Sequence, residues 1–287
     1  MGREKGTLLA KPEASLRAHL VVGGFPPGNH AGHDMDFARL QLLQHLSEFG
    51  SVRTAVSGDF RDIETYLPES ALLISYLAGP YLEDEQNLKV REWLEQGGRW
   101  LALHGTSGGR HEPDPDRPGL RRMMKLPYHD TLGSHFSHHP PLRRITIDVA
   151  DTAHPLARGL PTSFDVFDEP YFIELMGDEP HQILLTTELP KDPTPTEWQQ
   201  ALGYDHTDSL QPDGKTRVVA YTKTLDRGGI AYISLGHCHS PTSAMQPLVD
   251  TSVDPQGMSP PVFRGSWETD AFQTLLRNGI QWGLETG

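Results

Sequence analysis

Residues 71–77 read ALLISYL, apolar at nearly every position. A strand of this kind cannot face water on either side, so it requires a sheet covered on both faces. Its neighbours supply the covering layers. HLVVGG (19–24) reads as another short buried strand. A helix over 33–50 follows, HDMDFARLQLLQHLSEFG, with Phe37, Leu40, Leu43 and Leu46 on its apolar face and Gly50 as its stop. VRTAV (52–56) is a further strand. Beyond ALLISYL the spacing predicts a helix over 82–98. It has an acidic first turn, Val90, Trp93 and Leu94 facing inward, and Gly97-Gly98 at its end. RWLALH (99–104) is the fourth strand. Strand, helix, strand, strand, helix, strand at this spacing implies parallel crossover units in an α/β fold.

The remainder is less regular. Residues 105–142 are rich in Gly, Pro and His and read as irregular. RITIDV (144–149), FDVFDEPYF (164–172) and QILLTTE (182–188) read as strands, with a helical turn at HPLARGLP (154–161). Residues 189–216 read as a polar surface loop. RVVAYTKT (217–224) and GGIAYISLGH (228–237) form a hairpin-like pair turning at Leu225-Asp226-Arg227, and 240–265 is again loop. SWETDAFQTLLRNGIQWG (266–283) closes the chain as a helix capped by Ser266, with Phe272, Leu275, Leu276 and Ile280 on one face. No repeat or linker interrupts the pattern. The expected organisation is a flexible tail over 1–17 and a single domain over 18–287.

Composition narrows the function. Net charge is −13, from 25 basic and 38 acidic residues, with no Lys/Arg-rich run, so no nucleic acid partner is expected. The single cysteine, Cys238, excludes an intrachain disulfide and fits a reducing compartment. No stretch approaches the ~18 apolar residues of a membrane span. The first residues, MGREKGTLLAKPEASLR, lack the apolar core of a signal peptide. A cytoplasmic protein with no membrane partner is expected. Neither a dinucleotide fingerprint nor a phosphate-binding loop motif is present, so no nucleotide cofactor is expected.

The 15 histidines stand out. Several adjoin glycine or proline at strand ends, where open parallel sheets bind ligands. His30, His33 and Asp34 follow the first strand, His104 the fourth, and His237 the late strand. His104 is either a strand-end cap or a ligand or general base, and Gly105 behind it lets the backbone approach a ligand. In GSHFSHHPP (133–141), strand alternation points His135 and His139 one way and His138 the other. The plainer reading there is one structural and two exposed histidines. In SLGHCHS (234–240), His237 directly follows glycine and is favoured over His239. Cys238 is a soft ligand or nucleophile, or else an inert buried thiol. In DEPYF (168–172), Asp168 and Glu169 point to opposite faces, one to water and the other into the pocket as a base or a support for a ligand. Imidazoles with one carboxylate suit zinc, iron, manganese or nickel. Without metal, the same groups do acid–base work near neutral pH.

Five stretches carry a resemblance: GGFPPGNHAGHDMDFARL, RWLALHGTSGG, LGSHFSHHPP, FDEPYF and YISLGHCHS, in that order. From about residue 19 to its end the chain resembles the ThuA-like (trehalose utilisation) family, whose fold is similar to class I glutamine amidotransferases. The resemblance implies a flavodoxin-like, three-layer α/β sandwich with a mainly parallel central sheet. It also implies a site. His33 matches the family's early Gly-His, His104 its Leu-His-Gly and His139 its His-Pro. Glu169 with Tyr171 matches the Asp-Glu-x-Tyr element, and His237 the late Gly-His. In the amidotransferases a nucleophilic cysteine occupies the turn where this chain has His104, so cysteine-based glutamine hydrolysis is not expected. Cys238 departs from the Asp or Glu that the family often has there.

The family is associated with sugar catabolism, particularly of disaccharides oxidised to keto-sugars. The resemblance therefore implies a cytoplasmic enzyme acting on a sugar or keto-sugar by isomerisation, elimination or hydrolysis, with a divalent metal such as zinc. Catalytic roles fall to His104, Glu169 and His237, and metal binding to His104, His139 and His237. Substrate contacts fall to His33, Asp34, Tyr171 and Gly105. Two rival readings stand beside it. One is a non-catalytic sugar-binding or partner protein of a sugar dehydrogenase. The other is an amidotransferase-like hydrolase using Cys238. The expected partners are a small-molecule carbohydrate, a second copy in a homo-oligomer, and a functional link to a sugar dehydrogenase.

Overall fold

The computed structural model describes residues 16–29, 31–202 and 209–285. The expected tail up to residue 15, and His30, lie outside them. The first elements are β1 (Arg17–Gly24), α1 (Met35–Ser47), β2 (Arg53–Ser57), α2 (Ile63–Tyr66), β3 (Leu72–Ala78), α3 (Asp84–Glu95) and β4 (Arg99–Leu103). Next come β5 (His111–Pro113), β6 (Arg121–Met123), α4 (Tyr128–Leu132), β7 (Ser134–His138), β8 (Arg143–Val149), β9 (Ser163–Asp168) and β10 (Phe172–Leu175). The last are β11 (His181–Glu188), α5 (Thr196–Leu202), β12 (Thr216–Leu225), β13 (Gly228–Ile233) and α6 (Asp270–Leu284).

Nine strands make the central sheet, in the order β2-β1-β3-β4-β13-β12-β11-β8-β9. From β2 to β13 the neighbours are parallel, and from β13 to β9 they are antiparallel. The fold is thus the α/β sandwich expected, with a parallel half and an antiparallel extension. Side chains of β3 alternate between two cores. Leu72, Ile74 and Tyr76 pack with α1 and α6 on one face, and Leu73 and Leu77 pack with α2, α3 and α4 on the other. This is why ALLISYL has no polar side.

Several local expectations need correction. The buried stripe of α1 is Met35, Ala38, Leu42, His45 and Leu46, while Leu40 is 53% exposed. Both stripes satisfy a helical period, and small Ala38 lets the helix close on the sheet. Residues 105–142 are not wholly irregular, because they hold the β5–β6 hairpin, α4 and β7. The 189–216 excursion includes α5. FDVFDEPYF is not one strand. β9 belongs to the main sheet, and β10 pairs with β7 in a separate ribbon. The break falls at Pro170, which has no N–H to continue a ladder. The cap of α6 is Thr269, which accepts from the Phe272 N–H, whereas Ser266 sits in a preceding 3-10 turn.

Two buried histidines are expected to make this fold acid-sensitive. His19 bonds the Ser57 hydroxyl at 2.9 Å. His129 accepts from Leu126 N at 2.7 Å and bonds the Gly108 carbonyl at 2.8 Å. Burial lowers both to about 4, against Asp62 for His19 and with help from His135 for His129. Both are neutral when folded, whereas an unfolded histidine protonates near pH 6.5. The stability they contribute is complete above pH ~6.5 and is lost progressively as pH falls toward 4, by up to ~3 kcal/mol each. Urea denaturation between pH 7 and pH 4.5 should show this decline, and a smaller one in His19→Gln. A flat profile would remove the assignment.

Candidate metal centre

Three parallel strands, β1, β4 and β13, deliver their C-terminal loops to one edge of the sheet. His33 comes from the loop between β1 and α1, His104 directly follows β4, and His237 follows β13. Glu169 enters from the break between β9 and β10. His104, Glu169 and His237 are 0 to 2% exposed, and His33 8%.

The turn after β4 answers why histidine is followed by glycine. His104 has φ of +43°, a left-handed conformation unusual for a side chain of its size. Its carbonyl accepts from the Tyr232 hydroxyl at 2.9 Å, which holds the turn. A Cβ on Gly105 would stand 2.4 Å from the Leu77 carbonyl oxygen. Gly105 is therefore needed for the close approach to β3, a packing reason for the glycine beside the ligand approach expected of it.

Backbone carbonyls set the tautomers of the three imidazoles. His104 Nδ1–H donates to Ser234 O at 2.7 Å, and His33 Nδ1–H donates to Ala31 O at 3.0 Å. His239 Nε2–H donates to Pro260 O at 2.8 Å, so its Nδ1 accepts from His237 Nε2–H at 3.1 Å. A neutral imidazole carries one N–H. When each ring is neutral, the inward atoms, His104 Nε2, His33 Nε2 and His237 Nδ1, are therefore lone pairs. They converge with Glu169 Oε2, and the four ligand atoms lie within 4.8 Å of one another.

Acceptors face acceptors here. The Nε2 atoms of His104 and His33 are 3.2 Å apart, and Glu169 Oε2 lies 3.3 Å from His237 Nδ1 and 3.6 Å from His104 Nε2. A tetrahedral zinc with ligands at ~2.0–2.1 Å requires ligand separations of about 3.3 Å. The donor set and spacing fit a divalent cation. Each imidazole is oriented by an acceptor on its outer nitrogen, the support that metal-binding histidines use.

The electrostatics point the same way. Burial would raise the pKa of Glu169, yet the charges of His139 and His237, with hydrogen bonds from His104 and His237, hold it well below the usual carboxylate range. Burial opposes protonation of His237, but the Glu169 carboxylate beside it outweighs burial and raises its pKa. Burial, then the neighbouring His237 and His104, push His33 well below its ordinary value. A buried carboxylate held ionised among imidazoles favours positive charge at their centre, whether a proton on His237 or a bound cation.

The other expected residues take different places. His139 lies outside the four. Its Nδ1 is 3.2 Å from the second oxygen of Glu169, and its side chain is 23% exposed. Tyr171 lays its ring 3.9 Å from that of His104, with its hydroxyl 3.5 Å from His33 Nε2. Asp34 caps α1 through Phe37 N and pairs with Arg264 at 2.9 Å. His135 is buried opposite Glu174, and His138 is buried against Asp192 at 2.8 Å. The reading of two exposed histidines in that stretch is thus overturned, because the β7–β10 ribbon is covered. Asp168 and Glu169 are both buried, so neither faces water. Cys238 packs in the core, and burial, partly offset by the Tyr76 hydroxyl, raises its thiol to about 12. A thiol so protonated is a poor nucleophile. Sequence reasoning did not find Gln246, which donates to the outer oxygen of Glu169. It sits in a long loop without a motif, and only the fold brings it there.

Comparison with known families matches residues 27–250 to ThuA, described as trehalose utilisation. Among solved structures, a protein described as ThuA-like from Bacteroides uniformis ATCC 8492 is 14% identical with a TM-score of 0.59, over 98% of this chain and 95% of that one. A second, from Parabacteroides merdae ATCC 43184, is 15% identical with a TM-score of 0.53, over 94% of this chain and 90% of that one. At such identities the likeness shows a shared fold. No curated protein matches the chain.

Proposed function

Because the chain belongs to the ThuA (trehalose utilisation) family, we propose that its buried centre is a divalent-metal site serving carbohydrate catabolism. The substrate is a sugar or keto-sugar, and the reaction is isomerisation, elimination or hydrolysis. One observation carries the metal reading: four buried donor atoms, three imidazole nitrogens and one carboxylate oxygen, lie within 4.8 Å of one another.

A bound ion would supply Lewis acidity, polarising a sugar carbonyl or lowering the pKa of a water. His33, His104, His237 and Glu169 would hold it. Glu169 turns its other oxygen to half-buried His139, and this pair moves a proton between the interior and solvent. Burial, with Glu169 nearby, raises the Tyr171 phenol well above its ordinary value, so its hydroxyl acts as a hydrogen-bond donor and not as a base. The reading places the protein in the cytoplasm, downstream of a dehydrogenase that oxidises the sugar.

The test is metal content per chain in untagged protein after reconstitution with zinc and dialysis. Wild type should hold close to one ion, and His104→Ala/His237→Ala none. Loaded protein is then incubated with keto-disaccharides and followed by NMR. Wild-type protein that retains no ion would sink the metal reading.

A further inference from the structure

Asp168 is fully buried, and no cationic side chain among the described residues forms an ion pair with it. An isolated buried carboxylate is costly unless hydrogen bonds meet its charge. Here three backbone N–H groups do so. Oδ1 accepts from Glu169 N at 2.7 Å and from His237 N at 3.0 Å, and Oδ2 accepts from Gly236 N at 2.9 Å. The Gly236 carbonyl is held in turn by the Tyr76 hydroxyl at 2.8 Å and the Trp267 indole at 2.7 Å. Gly236 has φ of +123°, which a side chain would resist.

These bonds join two segments far apart in sequence. One is the β9–β10 break, which carries Glu169, and the other is the turn after β13, which carries His237. We propose that Asp168 is the positioning residue of the metal centre: one buried carboxylate fixes the backbone of two of the four converging ligands. Its charge also adds a second buried negative group beside the site, which favours a divalent cation over a monovalent one. This rests on the metal reading above.

Asp168→Asn tests it, since the amide keeps the shape but turns one acceptor into a donor that faces an N–H. Cobalt(II) binding is measured by calorimetry and by the visible absorption of the bound ion. Asp168→Asn should remain folded, bind cobalt 10- to 100-fold more weakly, and show an altered spectrum. Val90→Ala, in the core around α3, is the control for general destabilisation and should keep the wild-type affinity and spectrum. Wild-type binding by Asp168→Asn, or an equal loss in Val90→Ala, overturns the proposal. If Asp168→Asn does not fold, Asp168→Ser is judged by the same criteria. If wild type binds no cobalt, the metal reading itself fails. The positioning role is then decided by a crystal structure of the variant, where displaced Glu169 and His237 uphold it and unmoved ones overturn it.

Discussion

Glu169→Gln is expected to strip the centre of its ion while the fold survives. Glu169 is the only carboxylate among the four converging groups, and its two oxygens serve different partners. Oε2 faces His104 and His237, and Oε1 faces His139 and Gln246. Glutamine preserves the volume and can donate to the His237 lone pair. Removing one charge from a buried, paired cluster leaves its imidazole partners less well met, so stability should fall by about 2 kcal/mol, short of unfolding. Metal affinity should fall with it. Losing a supporting residue alone costs 10- to 100-fold, and losing a charged ligand should exceed ~100-fold. Atomic-emission analysis after dialysis, beside a urea denaturation curve, reads both quantities. A Gln variant that keeps one ion per chain would show that the carboxylate is not a ligand.

Gly105→Ala is expected to damage fold and site together. The added methyl would stand 2.4 Å from Leu77 O, a backbone atom of a central strand that cannot rotate away. Either β3 and β4 separate or the turn at His104 shifts. Overpacking of this kind costs about 3 kcal/mol. Because His104 is already in a left-handed conformation, the displacement falls on its ring and on the Nδ1–H bond to Ser234. The variant should therefore lose denaturation midpoint and metal occupancy in parallel. Gly50→Ala, whose Cβ would meet nothing within 4 Å, is the matched control and should be close to neutral. Wild-type stability in Gly105→Ala would mean that the turn has more slack than its contacts show.

Much of the parallel half was legible because its signals are local. All-apolar runs such as residues 71–77 report burial on both faces whatever the rest of the chain does. Glycines and prolines mark where the runs end. Histidines at those ends, His33, His104 and His237, could be picked out by position alone. The antiparallel half was harder. FDVFDEPYF reads as one strand by composition, yet it serves two sheets, and only the missing N–H of Pro170 hints at the break. The helix face of α1 was misread because two stripes of its sequence satisfy the same period.

The sequence by itself determined the types of donor available and the strand ends that carry them, since alternation, turns and breaks act over a few residues. The tertiary structure decided which of those donors meet. It brought His33 and Glu169 into one cluster with His104 and His237 and set His139 on the outer oxygen. It also buried Asp168 under three N–H groups. The physical reason is that burial, tautomer and pKa depend on partners far along the chain. Ala31, Ser234 and Pro260 orient three imidazoles, directly or through His239, so that one nitrogen of each faces inward, and no local pattern names those carbonyls.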